Sequence, residues 1–187
     1  MRTRQAGESA LLLLDAIDLL QQSGIAYAVV GAMAAAVHGV VRASMDADAV
    51  VLLPVQRVAE LERQYRASGF ATVMRRGDAE DPIGAVLALH DAFGNRVDLL
   101  FGLKGLGADA FGRTITVPFQ DRDLLVIGRE DFVAMKVFAG GPLDLLDAER
   151  ALAAAGGDLD PELLRRVAAG YGPGVLSQLE ALIGPRR

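Results

Sequence analysis

The sequence predicts an α/β fold, a mixed α and β core that gives way to helices. Three observations predict it. Short apolar, β-branched runs alternate with helical patterns as far as Ile127. From Glu130 onward only helical patterns remain. Gly and Pro punctuate most of the boundaries between them.

The elements follow in order. Residues 8–22 read as an amphipathic helix carrying Leu11, Leu12, Ile17, Leu19 and Leu20, stopped by Ser23-Gly24. Residues 26–30 are a buried strand ending at Gly31, and residues 32–38 suit a short helix closed by Gly39. Residues 47–53 form a second buried strand, stopped by Pro54. Residues 55–68 are a helix with Val58, Leu61 and Tyr65 on one stripe. Residues 70–74 make a third strand, followed by a polar loop over 75–82. Residues 85–90 and 96–101 pair through a turn at 91–95, and 114–118 and 124–127 add two more strands. Helices then cover 130–139, 143–155, 161–169 and 173–183. The expected organisation is an α/β core over 1–128 and a C-terminal helical region over 129–187. Each helical piece is too short to bury a core alone, so the region is expected to pack on the core.

Bulk properties exclude several classes. The 187 residues carry a net charge of −5, so the whole molecule is no general binder of nucleic acid. Cysteine is absent, which excludes disulfides, thiolate metal sites and a Cys nucleophile. Mean hydropathy is +0.31, yet no apolar run approaches the roughly 20 residues of a membrane span. Arg2 and Arg4 precede an apolar run as in a signal peptide, but Asp15 and Asp18 interrupt it at helical spacing. The expectation is a cytoplasmic protein without membrane contact. Basic residues are nearly all Arg, and Lys104 and Lys136 are the two lysines.

The chemistry concentrates around Gly31. A strand runs into this glycine and a short helix follows. Asp46-Ala47-Asp48 then stands at the mouth of the next strand. Residues two apart in a strand point to one side, so Asp46 and Asp48 aim two carboxylates at one place. A divalent cation would relieve their repulsion, and hard oxygen ligands suit Mg²⁺ or Mn²⁺. A glycine at a strand-to-helix turn lets a phosphate approach backbone N–H groups. Asp98, inside an otherwise apolar strand, needs a partner. It would share a metal or accept the proton of an attacking hydroxyl.

Glycine turn, Asp-x-Asp and later Asp together resemble the nucleotidyltransferase superfamily of polymerase-beta-like fold. That resemblance implies a mixed sheet flanked by helices. More narrowly, His38-Gly39, Arg42, Ser44 and the stretch EDFVAMKVFAGGPLDLLDAERAL resemble the AbiEii-type nucleotidyltransferases, toxins of bacterial toxin–antitoxin systems. The resemblance covers about residues 26–152. It implies a nucleoside triphosphate as substrate, with Gly31, Ala32, Arg42 and Ser44 at the nucleotide. Lys136 would lie on its phosphates, and Asp144 and Asp147 would complete the site. It also implies a tRNA or RNA acceptor and a cognate antitoxin partner. Gly31-Ala32 replaces the usual Gly-Ser or Gly-Gly, and Gly141 and Leu143 stand where basic residues are common.

Each residue also has a structural reading. Asp98 could pair with Arg96 or Arg42, and His38 could pack against the sheet. Ser44 could brace the Asp46 loop. Lys136 follows an apolar stripe and could snorkel, and Asp144 sits where a helix dipole favours an acid. Arg75-Arg76 and Arg165-Arg166 read as surface charge, able to hold an RNA backbone only if they flank the cleft. Two other functions stay open: a catalytically degenerate binding protein on the same fold, and a transferase acting on a small molecule such as an antibiotic.

Overall fold

The computed structural model describes residues 1–184, so the last three residues of the helical region lie outside the described residues. Chain order is α1 (Ser9–Gln22), β1 (Tyr27–Val30), α2 (Gly31–Val37), β2 (Asp46–Val51) and α3 (Val58–Ala67). Then come β3 (Ala71–Arg76), β4 (Ile83–His90), β5 (Arg96–Leu103), β6 (Ile115–Phe119) and β7 (Arg122–Val126). Four helices finish it: α4 (Arg129–Ala139), α5 (Pro142–Ala154), α6 (Pro161–Gly170) and α7 (Pro173–Ile183). Among the described residues no helix is long and apolar enough to cross a membrane.

The strands form one mixed sheet in the order β3-β4-β5-β2-β1-β7-β6. β2 runs parallel to β5 and β1 parallel to β7, while the other neighbours are antiparallel. Burial alternates along β5: Val97, Leu99 and Phe101 are buried, while Arg96, Asp98 and Leu100 are half-buried. One face therefore belongs to the core, where α1 and α3 cover β2 to β5. The buried Tyr65 hydroxyl donates to the Ala16 carbonyl at 2.9 Å and ties these two helices together. Beyond the sheet, α4 packs on α5, α6 and α7. Arg113 grips the buried Asp131 at 2.7 and 2.8 Å, linking the start of α4 to the loop before β6.

One local expectation shifts. Residues 75–76 were expected in a loop, but β3 continues through Arg76, with Arg75 opposite Val86 and Arg76 opposite Ala85. An edge strand needs one ladder partner and tolerates charged side chains, so polarity does not end it. The Gly-rich stretch after β5 holds a short 3-10 turn over Ala108–Gly112, pinned by the buried Ala110.

The chain start is anchored beside the site. Asn95 is buried at 2% exposure; it accepts from the Glu8 amide at 2.6 Å and donates to the Gln5 carbonyl at 2.8 Å and Asp91 at 2.6 Å. The Ser9 hydroxyl donates to the Met45 carbonyl at 2.6 Å and accepts from the Arg96 amide at 3.1 Å. It thereby clamps the entry of β2 to that of β5. Truncating Asn95 leaves buried groups unpaired, at about 1–3 kcal/mol. Asn95→Ala is therefore expected to lower the unfolding free energy by that amount, read as a lower urea midpoint with an unchanged m-value. An unchanged midpoint would mean the chain start contributes nothing.

Candidate active site

Register brings the predicted carboxylates together. Asp48 on β2 lies opposite Val30 on β1 and opposite Asp98 on β5, and Asp46 lies opposite Arg96. Neighbouring strands stand about 4.8 Å apart, so Asp46, Asp48 and Asp98 share one small area of one face. Gly31 follows Val30 directly and has φ +64°. A Cβ built there would lie 2.1 Å from Asp48 Oδ2. The absent side chain is thus space taken by the Asp48 carboxylate, a reason for glycine beyond phosphate access.

Asp48 is the electrostatic centre. Burial, then Asp98 and Asp46, raise its pKa from 3.8 to about 6, against the pull of Lys136 and Arg42. Asp98 is held by Arg96 through both oxygens, at 2.9 and 2.7 Å, and Arg75 reaches within 4.0 Å of it. The Arg96 partner named from sequence is therefore the one used. Asp98 in turn raises the Arg96 pKa through these hydrogen bonds. The Ser44 hydroxyl donates to the Asp46 carbonyl at 3.0 Å and accepts from its amide at 3.4 Å, bracing the entry to β2. Among the described residues no three acidic or His side chains converge tightly enough to enclose a metal unaided. Two carboxylates plus substrate phosphates suffice for Mg²⁺, and a raised Asp48 pKa is what a cation there would relieve.

A second charged cluster lies on the helical side. Lys136 Nζ is 2.7 Å from Asp144 and 3.0 Å from Asp147, and its ammonium stands 5.7 Å from the Phe132 ring centre. Arg42 Nε is 3.3 Å from the same Asp147 oxygen. Asp147 is fully buried, while Asp144 is about a third exposed at 32%. Asp147 is thus the fixed anchor and Asp144 the replaceable partner. Ala32 is buried in the first turn of α2 and lines a shallow groove with Arg42, Ser44 and Asp46.

Between the clusters lies a cleft of about 260 Å³. Gly31, Asp48, Lys136 and Asp144 stand at its polar end. Ile83 and Leu100 on the sheet and Met135 and Phe138 on α4 wall the rest. Sequence reasoning missed these walls. The available signal was that α4 is apolar on two sides: Phe132, Val133 and Val137 are buried, yet Met135 and Phe138 remain. His38 is structural. Its Nε2 is 2.8 Å from the Ile127 carbonyl and its ring packs 5.1 Å from that of Phe132. Burial lowers its pKa.

Two outcomes follow from Asp48. A carboxyl with a raised pKa favours the fold when protonated, so this contribution is complete below about pH 4 and lost as pH rises through about 6. In EDTA, Asp48→Asn is expected to stabilise the chain by on the order of 1–3 kcal/mol at pH 7.5, a gain that vanishes below about pH 4. Urea unfolding across that range checks it, and a pH-independent difference would contradict it. Gly31→Ala meets both the left-handed φ, about 1–2 kcal/mol, and the Asp48 carboxylate. It is expected to lower the melting temperature and weaken Mn²⁺ binding together.

No protein-family model matches the chain, and no curated protein matches it. Solved structures do. A crystal structure of ANT(2″)-Ia in complex with adenylyl-2″-tobramycin has TM-score 0.55 at 14% identity, over 86% of this chain and 95% of that one. A solution structure of the antibiotic-resistance factor ANT(2″)-Ia has TM-score 0.56 at 15% identity, over 92% and 93%. An antigenic nucleotidyltransferase-like protein from Paracoccidioides brasiliensis has TM-score 0.51 at 14% identity, over 98% and 100%. At such identities the likeness is one of fold. The chain has the nucleotidyltransferase fold, a mixed sheet flanked by helices.

Proposed function

We propose that the chain is a metal-dependent nucleotidyltransferase, moving a nucleoside monophosphate from a triphosphate to an acceptor hydroxyl. The observation that carries this is the register that sets Asp48 between Gly31 and Asp98, with Asp46 two residues earlier on the same face. Asp46, Asp48 and Asp98 would hold Mg²⁺ or Mn²⁺, whose chemistry is to neutralise and orient the phosphates. The nucleobase would lie between Leu100 and Met135 in the apolar cleft, and Lys136 would exchange Asp144 for phosphate oxygens. Arg42 and Ser44 would serve the Asp46 side. The acceptor oxygen attacks the α-phosphorus and its proton passes to Asp98. The α–β bridging P–O bond breaks, and pyrophosphate leaves with the electron pair.

The AbiEii-type resemblance extends this to a tRNA or RNA acceptor, a toxin role and a cognate antitoxin, and the acids that interrupt the first apolar run favour a cytoplasmic setting. The likeness to ANT(2″)-Ia, solved with an adenylylated tobramycin, favours a second reading, an antibiotic acceptor. A third, a degenerate binding protein, draws on Arg96 occupying both oxygens of Asp98 and on Lys136 being held by two acids.

Incubation with each labelled nucleoside triphosphate, Mg²⁺ and total tRNA or tobramycin separates them. Label is expected on an acceptor, lost with EDTA and reduced at least about 100-fold in Asp48→Ala. Magnesium-dependent nucleotide binding without transfer to any acceptor would favour the binding protein, and absence of both would sink the enzymatic reading.

A further inference from the structure

Part of the sheet's site face is left unused by the transfer chemistry above. On β3, β4 and β5 the residues alternating with the core stay accessible, except Ala88, which is buried at 2% exposure. Val73 is 53% exposed, and Val86, His90 and Leu100 are half-buried. This open floor runs from Asp98 out to edge strand β3.

Arg75 crosses it. β3 is two strands from β5, roughly 10 Å across the sheet, yet Arg75 NH2 stands 4.0 Å from Asp98 Oδ2. Ala88 lies between Asp98 and Val73 in the ladder, and its methyl leaves the path clear. Asp98 is already bound through both oxygens by Arg96, so it needs no second cation. Two guanidiniums thus share one carboxylate, and Arg75 makes the longer and more exposed of the two contacts. The side chain of Arg75 is 61% exposed, available to a ligand. An arginine that only guards a sheet edge points to solvent, whereas this one turns inward. Arg76 alternates to the opposite face.

We propose that Arg75 and Arg96 form an acceptor-recognition pair, and that the acceptor is a phosphate-bearing hydroxyl compound, not a polycation. This rests on the nucleotidyl-transfer reading, in which Asp98 faces the acceptor. Guanidinium forks match phosphate oxygens in geometry and charge. A polycationic acceptor would instead meet two arginines at the attacking hydroxyl. The phosphate can come from an RNA end or from a small phosphate ester.

The test measures binding of a short fluorescein-labelled RNA with a free 3′ hydroxyl, of ribose 5-phosphate by competition, of tobramycin, and of MgATP. Wild type, Arg75→Glu and Arg76→Glu are compared. Arg75→Glu is expected to weaken the phosphate probes at least about tenfold. Arg76→Glu, the same charge change on the other face, is expected to weaken them less than about twofold. Competition by ribose 5-phosphate identifies a small ester, and binding of RNA alone identifies an RNA end; either supports the proposal. Equal loss in both variants, no loss in Arg75→Glu, or tobramycin bound more tightly than both phosphate probes would overturn it. Intact MgATP binding in those cases overturns acceptor recognition alone, whereas no MgATP binding overturns the transfer reading with it.

Discussion

The site depends on one close approach, the Asp48 carboxylate in the space where Gly31 has no side chain. It needs the register of β1 on β2, which sets Asp48 opposite Val30, and the left-handed backbone of Gly31. The parallel pairing of β2 with β5 then adds Asp98. Burying Asp48 beside two further carboxylates opposes folding, and burial first, then Asp98 and Asp46, push its pKa up to about 6. The rest of the fold must hold the patch together. Ser9 does so by joining the entries of β2 and β5.

The cations around the patch are arranged in two separate groups, each neutralised differently. On the helical side, Lys136 and Arg42 meet at the buried Asp147, which leaves their positions fixed when Asp144 is displaced. Such an anchor would keep the Lys136 ammonium in place for a phosphate without a flexible search. On the sheet side, Arg96 and Arg75 meet at Asp98, beside Asp46 and Asp48. A nucleotide placed in the apolar cleft would have its phosphates between the two groups. The charge layout is thus one of preorganised partners waiting for exchange, which in a low-dielectric cleft costs less reorganisation than recruiting free side chains.

Most elements were legible because period and punctuation agreed. Val97, Leu99 and Phe101 alternate with Asp98, and Gly31, Pro54 and Gly140 mark turns the structure uses. The carboxylate trio was legible in part because Asp-x-Asp spacing is a local property of a strand. Partnerships were less accessible. Arg75 read as surface charge because nothing local says that a side chain will cross two strands to Asp98. Asn95 read as a turn residue, while its contacts to Gln5 and Glu8 join parts of the chain 90 and 87 residues apart. The cleft walls escaped because a second apolar side on α4 is meaningful only once the sheet opposite it is known.

The fold does not choose the acceptor. Structures of the same fold at 14–15% identity share the scaffold and leave the side chains free to differ. What can differ is the floor beside the third carboxylate, because it is made of half-buried and exposed positions that folding does not dictate. In this chain those positions carry Arg75 and Arg96 around a single acid. A site that takes a polycation spends its exposed acids on binding it, and such acids next to Asp98 would also push its proton affinity up. Arginines there would do the reverse, favouring an anionic ligand and disfavouring a cationic one with the same two groups. Under the proposed transfer reading, acceptor selection would rest on this one pair of side chains, which the fold itself leaves free to vary.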